Sequence, residues 1–154
     1  MTEAILSPKL RQLLREKIRL SPGHCQTLYA VTGLVWLSGA LWLLVEKLSG
    51  QGESSWSPLL LKIHGAAAIG FSILLGTMLV HIRRGLALKR NLRSGLFLIG
   101  VNLFLVATGW LLYYAGGDNL RNVASLAHWG IGLGLPIFLV VHIWLGRESA
   151  RKKP

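Results

Sequence analysis

Charged side chains are scarce in this sequence and are missing where a water-soluble fold would need them. Only 15 % of its 154 residues are charged, against about 25 % in soluble domains. Leu20–Val45, Ile63–Ile82, Ser94–Gly117 and Asn122–Gly146 contain no Asp, Glu, Lys or Arg at all. Each run reaches the length of about 20 apolar residues that a bilayer-spanning helix needs. A soluble helical bundle would instead place a polar residue on the outer face of nearly every turn. Cysteine is nearly absent too. Cys25 stands alone, so the chain can form no internal disulfide, and without a Cys-x-x-Cys-His run it attaches no haem covalently. Acidic residues number only six, and none falls inside a charge-free run. Disorder, a disulfide-stapled secreted scaffold and a nucleic-acid-binding domain are all excluded.

What charge there is follows a topological pattern. Of the 17 basic residues, five precede the first run (Lys9, Arg11, Arg15, Lys17, Arg19). Five more lie between the second and third (Arg83, Arg84, Lys89, Arg90, Arg93), and four follow the last (Arg147, Arg151, Lys152, Lys153). Lys47, Lys62 and Arg121 alone fall on the other side. The positive-inside rule assigns both termini and the middle loop to the cytoplasm. The net charge of +11 then serves insertion and contact with anionic lipid headgroups, with no nucleic-acid partner. The expected fold is an all-α integral membrane bundle of four transmembrane helices, over about 28–48, 58–83, 94–115 and 122–146. Residues 1–22 form a cytoplasmic segment in which Leu10, Leu13, Leu14 and Ile18 predict a short amphipathic helix on the membrane surface. The bundle occupies 23–148, and 149–154 form a basic cytoplasmic tail. The first span reads as an uncleaved anchor.

Four of the five histidines are arranged by depth. His64 and His81 lie near opposite ends of the second span, and His128 and His142 near opposite ends of the fourth. Both spans run from outside to inside, so His64 and His128 share the outer level and His81 and His142 the inner. Imidazoles in hydrocarbon are costly and face the bundle interior. Two at each level can place one axial ligand on either face of a haem iron, twice. A single metal site made from all four is excluded by reach, because two heptads of helix cover about 21 Å while metal–nitrogen bonds are about 2 Å. In a left-handed bundle, a spacing of two heptads returns to the same face, as between His128 and His142. The longer interval from His64 to His81 misses by roughly 50°, which predicts a tilt, kink or local distortion in the second span. His24, before the first span, reads as an ordinary surface histidine.

Small residues could make room for a flat macrocycle. Gly95 and Gly109 of the third span are two heptads apart, one at each depth, and Gly33 and Gly39 lie in the first. Pro136 should free the Gly132 carbonyl and bend the last span between its two histidines. Ser72, Asn102, Thr77 and Thr108 read as residues bonding to backbone or neighbouring helices. The anionic propionates of a haem would need cations: Lys62 and Arg121 outside, and Arg83, Arg84, Arg93 and Arg147 inside. Trp56, Trp110, Trp129, Trp144, Tyr113 and Tyr114 fall at the interfaces, as an aromatic belt does.

The stretches KIHGAAAIGFSILLGTMLVHIRRG and LAHWGIGLGLPIFLVVHIWLGR give the chain a resemblance to small bacterial four-helix membrane di-haem cytochromes b, of the cytochrome b561-like and flavinylation-associated type, over roughly residues 28–147. The resemblance implies two non-covalent haem b groups, His64 with His128 holding the outer and His81 with His142 the inner. It also implies a bacterial inner-membrane subunit that exchanges electrons between the quinone pool and an outer redox partner. That partner, a periplasmic flavin-bearing or multihaem c-type protein, would join it in a hetero-oligomeric complex. Irons held by two imidazoles have no open position, so the expected chemistry is one-electron transfer. Two other readings stay open at this stage: a non-redox membrane scaffold or transporter subunit, and a stand-alone transmembrane reductase.

Overall fold

A computed structural model describes residues 21–49, 55–87 and 91–151. The expected N-terminal amphipathic helix lies outside the described residues, as does the end of the basic tail. Nearly all of the described chain is helical. Its elements are α1 (Pro22–Ser49), α2 (Ser57–Thr77), α3 (Leu79–Ala87), α4 (Leu92–Tyr114) and α5 (Asp118–Arg151). Four of them, α1, α2, α4 and α5, are long and apolar enough to cross a membrane.

Helix ends follow local chemistry. At the start of α1, Ser21 Oγ accepts the His24 amide at 3.3 Å and Pro22 occupies the first helical position, where its missing N–H costs nothing. That cap starts α1 earlier than the expected span. Before α4, Asn91 takes a left-handed conformation (φ 47°), which Asn tolerates better than most residues. Its carbonyl accepts the Gly95 amide at 2.9 Å.

The second span is broken, and the break falls between its two histidines. Met78 separates α2 from α3, and its amide bonds back to the Leu75 carbonyl at 3.0 Å, the tighter i→i+3 pattern. The preceding Thr77 hydroxyl donates to the Leu74 carbonyl at 2.7 Å, a back-bond that bends helices. A distortion here is what the long interval between His64 and His81 requires.

Two hairpins make up the bundle. α1 packs along α2, α4 packs along α5, and a lighter contact of α1 with α5 joins the pairs. A hydrogen bond crosses that seam: the Trp36 indole N–H donates to the Leu133 carbonyl at 3.2 Å. Leu133 is next to Gly132, whose carbonyl Pro136 cannot serve, and α5 nevertheless runs unbroken through Pro136.

The interior inverts the soluble pattern. Its buried residues include Ala67, Ala124 and Leu135 but also Thr32, Ser38, Asn102 and Thr108, while Ile73, Leu103 and Ile137 are about two-thirds exposed. The polar four bond to carbonyls one turn back in their own helices, at 2.6–2.9 Å. Small and hydroxylated residues inside, with large apolar ones outside, suit a lipid surround, where no hydrophobic force drives helices together.

Candidate functional site

The outer pair of histidines meets across the seam between the hairpins. The rings of His64 on α2 and His128 on α5 have centroids 6.2 Å apart and planes at 87°. A metal bound at about 2 Å by each of two opposed imidazole nitrogens, with ring centres about 1 Å behind those nitrogens, would space the centroids by about 6 Å. The observed separation suits that arrangement.

Each ring is held from behind by the other helix of its own hairpin. His64 Nδ1 lies 2.9 Å from the Val35 carbonyl and 3.4 Å from Ser38 Oγ, both on α1. His128 Nδ1 lies 2.9 Å from Thr108 Oγ1 on α4. In both hairpins a helical hydroxyl stands beside the imidazole's Nδ1.

A carbonyl only accepts, so His64 Nδ1 donates to Val35. The Thr108 hydroxyl has the Phe104 and Leu105 carbonyls as acceptors at 2.9 and 3.2 Å, which leaves its oxygen able to accept from His128 Nδ1–H. In that tautomer each ring keeps an Nε2 lone pair, the state that ligates a metal, and an Nδ1–H bond of this kind orients ligating histidines.

At the inner level, His142 on α5 has Nδ1 at 3.0 Å from Ser94 Oγ on α4. Ser94 Oγ also has the Asn91 carbonyl as an acceptor at 3.2 Å, which leaves its oxygen able to accept from His142 Nδ1–H. His81 stands on α3. Among the described residues no three His, Cys, Asp or Glu side chains converge.

Glycines lie where the rings pass. A Cβ on Gly39 would stand 2.9 Å from both Cε1 and Nδ1 of His64, closer than a side chain can sit. Cβ atoms on Gly109 and Gly95 would meet Cε1 of His128 and His142 at 3.5 and 3.6 Å, ordinary contact distances. The two glycines picked out by their spacing thus border the imidazole rings, and the tightest position is on α1. Gly65, beside His64, faces the Tyr113 hydroxyl, which a Cβ there would meet at 3.0 Å.

The candidate propionate partners sit at the ends of the spans. Lys62, Arg83, Arg93, Arg121 and Arg147 are exposed, and Arg84 is half-buried. His24 is drawn to the helix break, its Nε2 3.2 Å from Thr77 Oγ1. The same hydroxyl donates to the Leu74 carbonyl at 2.7 Å.

Sequence reasoning passed over Ser38 and Ser94 and gave Thr108 only a packing role. The signal was a Ser/Thr-Gly dipeptide, at Ser38-Gly39, Ser94-Gly95 and Thr108-Gly109, although Thr32-Gly33 and Ser49-Gly50 share it and a Cβ on Gly33 would meet nothing within 4 Å. Ser94-Gly95 and Thr108-Gly109 are separated by two heptads, like the histidines they face. No protein-family model, curated protein or solved structure matches this chain.

Proposed function

We propose that the chain is the membrane subunit of a b-type cytochrome, holding two haems and carrying electrons across a bacterial inner membrane between the quinone pool and an outer redox partner. Two imidazoles at a level suit a metal that brings its own four equatorial donors, as a porphyrin iron does. His64 and His128 would hold the outer group and His81 and His142 the inner. When bound, the two groups would supply reversible one-electron exchange.

The chain's own residues do the rest. Val35, Ser38, Thr108 and Ser94 hold the Nδ1 edges of the imidazoles, and Gly39 admits the His64 ring. The apolar helices keep water from both levels. Lys62 and Arg121 outside, with Arg83, Arg84, Arg93 and Arg147 inside, are placed to pair with propionates at the two surfaces. The excess of basic residues on one side of the spans favours a cytoplasmic location for both termini and the middle loop. With short loops on both faces, the electron partner outside must be another polypeptide, either a flavin-bearing or a multihaem c-type protein.

The observation that carries this reading is the His64–His128 pair: 6.2 Å between centroids, each ring held at Nδ1 with Nε2 left to ligate. A pyridine haemochrome assay on the purified chain tests it. Two haem b per chain are expected, falling to one in His64→Ala and one in His142→Ala. A wild-type chain without haem would overturn the proposal.

A further inference from the structure

Three of the four imidazoles meet the same two-residue device. Ser38-Gly39 on α1 faces His64, Thr108-Gly109 on α4 faces His128, and Ser94-Gly95 on α4 faces His142. In each, the hydroxyl accepts from or closely approaches Nδ1 at 2.9–3.4 Å. The glycine beside it lies against the ring's Cε1 edge. A hydroxyl alone would hold Nδ1, and a glycine alone would only make space. Together they also restrict rotation of the ring about the axis through Nε2, because a turned ring either loses its acceptor or leaves the glycine. At the outer level the two devices come from different helices and hold the ring planes at 87°.

We propose that these Ser/Thr-Gly units are rotational clamps, with Ser38, Thr108 and Ser94 as positioning residues that set the plane of each axial imidazole and so cross the planes of the outer pair. The proposal rests on the haem reading above and adds to it a cause for the ring angle. That angle has a spectroscopic consequence. In oxidised low-spin haem, crossed imidazole planes leave two iron d orbitals nearly equal in energy and give a strongly anisotropic electron paramagnetic resonance signal. Parallel planes separate those orbitals and give a less anisotropic, rhombic one.

Thr108→Val removes the hydroxyl that His128 Nδ1 meets at 2.9 Å, so the ring should be released to turn. Thr108→Ser restores the hydroxyl. The experiment uses the full chain, purified with its haem, and reads haem per chain beside the resonance spectrum. The wild-type chain should show a strongly anisotropic outer signal. Thr108→Val should shift it toward lower anisotropy, and Thr108→Ser should bring it back. If Thr108→Val loses the outer haem outright, recovery of both haem and signal in Thr108→Ser supports the clamp, and failure to recover overturns it. Two haems with an unchanged signal in Thr108→Val overturn the clamp and leave the haem reading standing. A wild-type chain that binds no haem overturns both.

Discussion

The two hairpins solve the same problem in different ways. In α4–α5 one register serves both levels: Ser94 meets His142 and Thr108 meets His128, with the same two-heptad step on each helix. In α1–α2 the register serves the outer level alone. Ser38-Gly39 seats His64, but two heptads before that dipeptide α1 presents His24 and Cys25, and two heptads after His64 stands Met78. The inner histidine of this hairpin comes one turn further on, in α3, after a helix break. A continuous helix turns about 100° per residue, so a helix can repeat a site by keeping its spacing or can reach a second one by breaking. This molecule does each once.

Exchanging small for slightly larger residues should expose that difference most strongly. Gly39→Ala would put a methyl group 2.9 Å from the His64 ring. It is expected to displace the ring, to cost about 1–3 kcal/mol, typical of overpacking, and to deplete the outer haem. Gly109→Ala, the counterpart on α4, meets His128 at 3.5 Å and should keep both haems. Thermal unfolding in detergent with a haem count on both variants checks the contrast, and equal effects would remove it.

A smaller effect is expected at the break. His24 Nε2 is engaged by the Thr77 hydroxyl, so His24→Ala should retain two haems per chain. Its cost should be about 0.5–1.5 kcal/mol, the net worth of one hydrogen bond. Loss of a haem in this variant would make His24 a ligand and reassign the inner level.

The spans were legible because charge is so costly in hydrocarbon that four gaps in Asp, Glu, Lys and Arg mark them directly. Their ends were less so. Capping by Ser21 and Pro22 extends α1, and α5 continues to Arg151 past the apolar run, since backbone hydrogen bonds do not end where hydropathy does. The need for a distortion between His64 and His81 could be read from periodicity, but its position at Met78 could not. It depends on the Thr77 hydroxyl's back-bond, and Ser72 makes a similar bond, to Ala68 at 2.8 Å, within continuous α2. That His64 and His128 approach one another was expected from the sequence. The histidines' partners Ser38, Ser94 and Thr108 were not, because a helical hydroxyl usually looks inward to its own carbonyls and only the fold shows what approaches its oxygen. Gly95 and Gly109 stood out by spacing, yet what decides a glycine's role is the nearest atom on another helix, and by that measure Gly39 is the more constrained.

The most direct measurement is a density map of the purified full chain. Flat, metal-centred density between His64 and His128, and again between His81 and His142, with Nε2 of each ring on the metal, is the predicted result. Imidazoles in direct contact with nothing planar between them would contradict it.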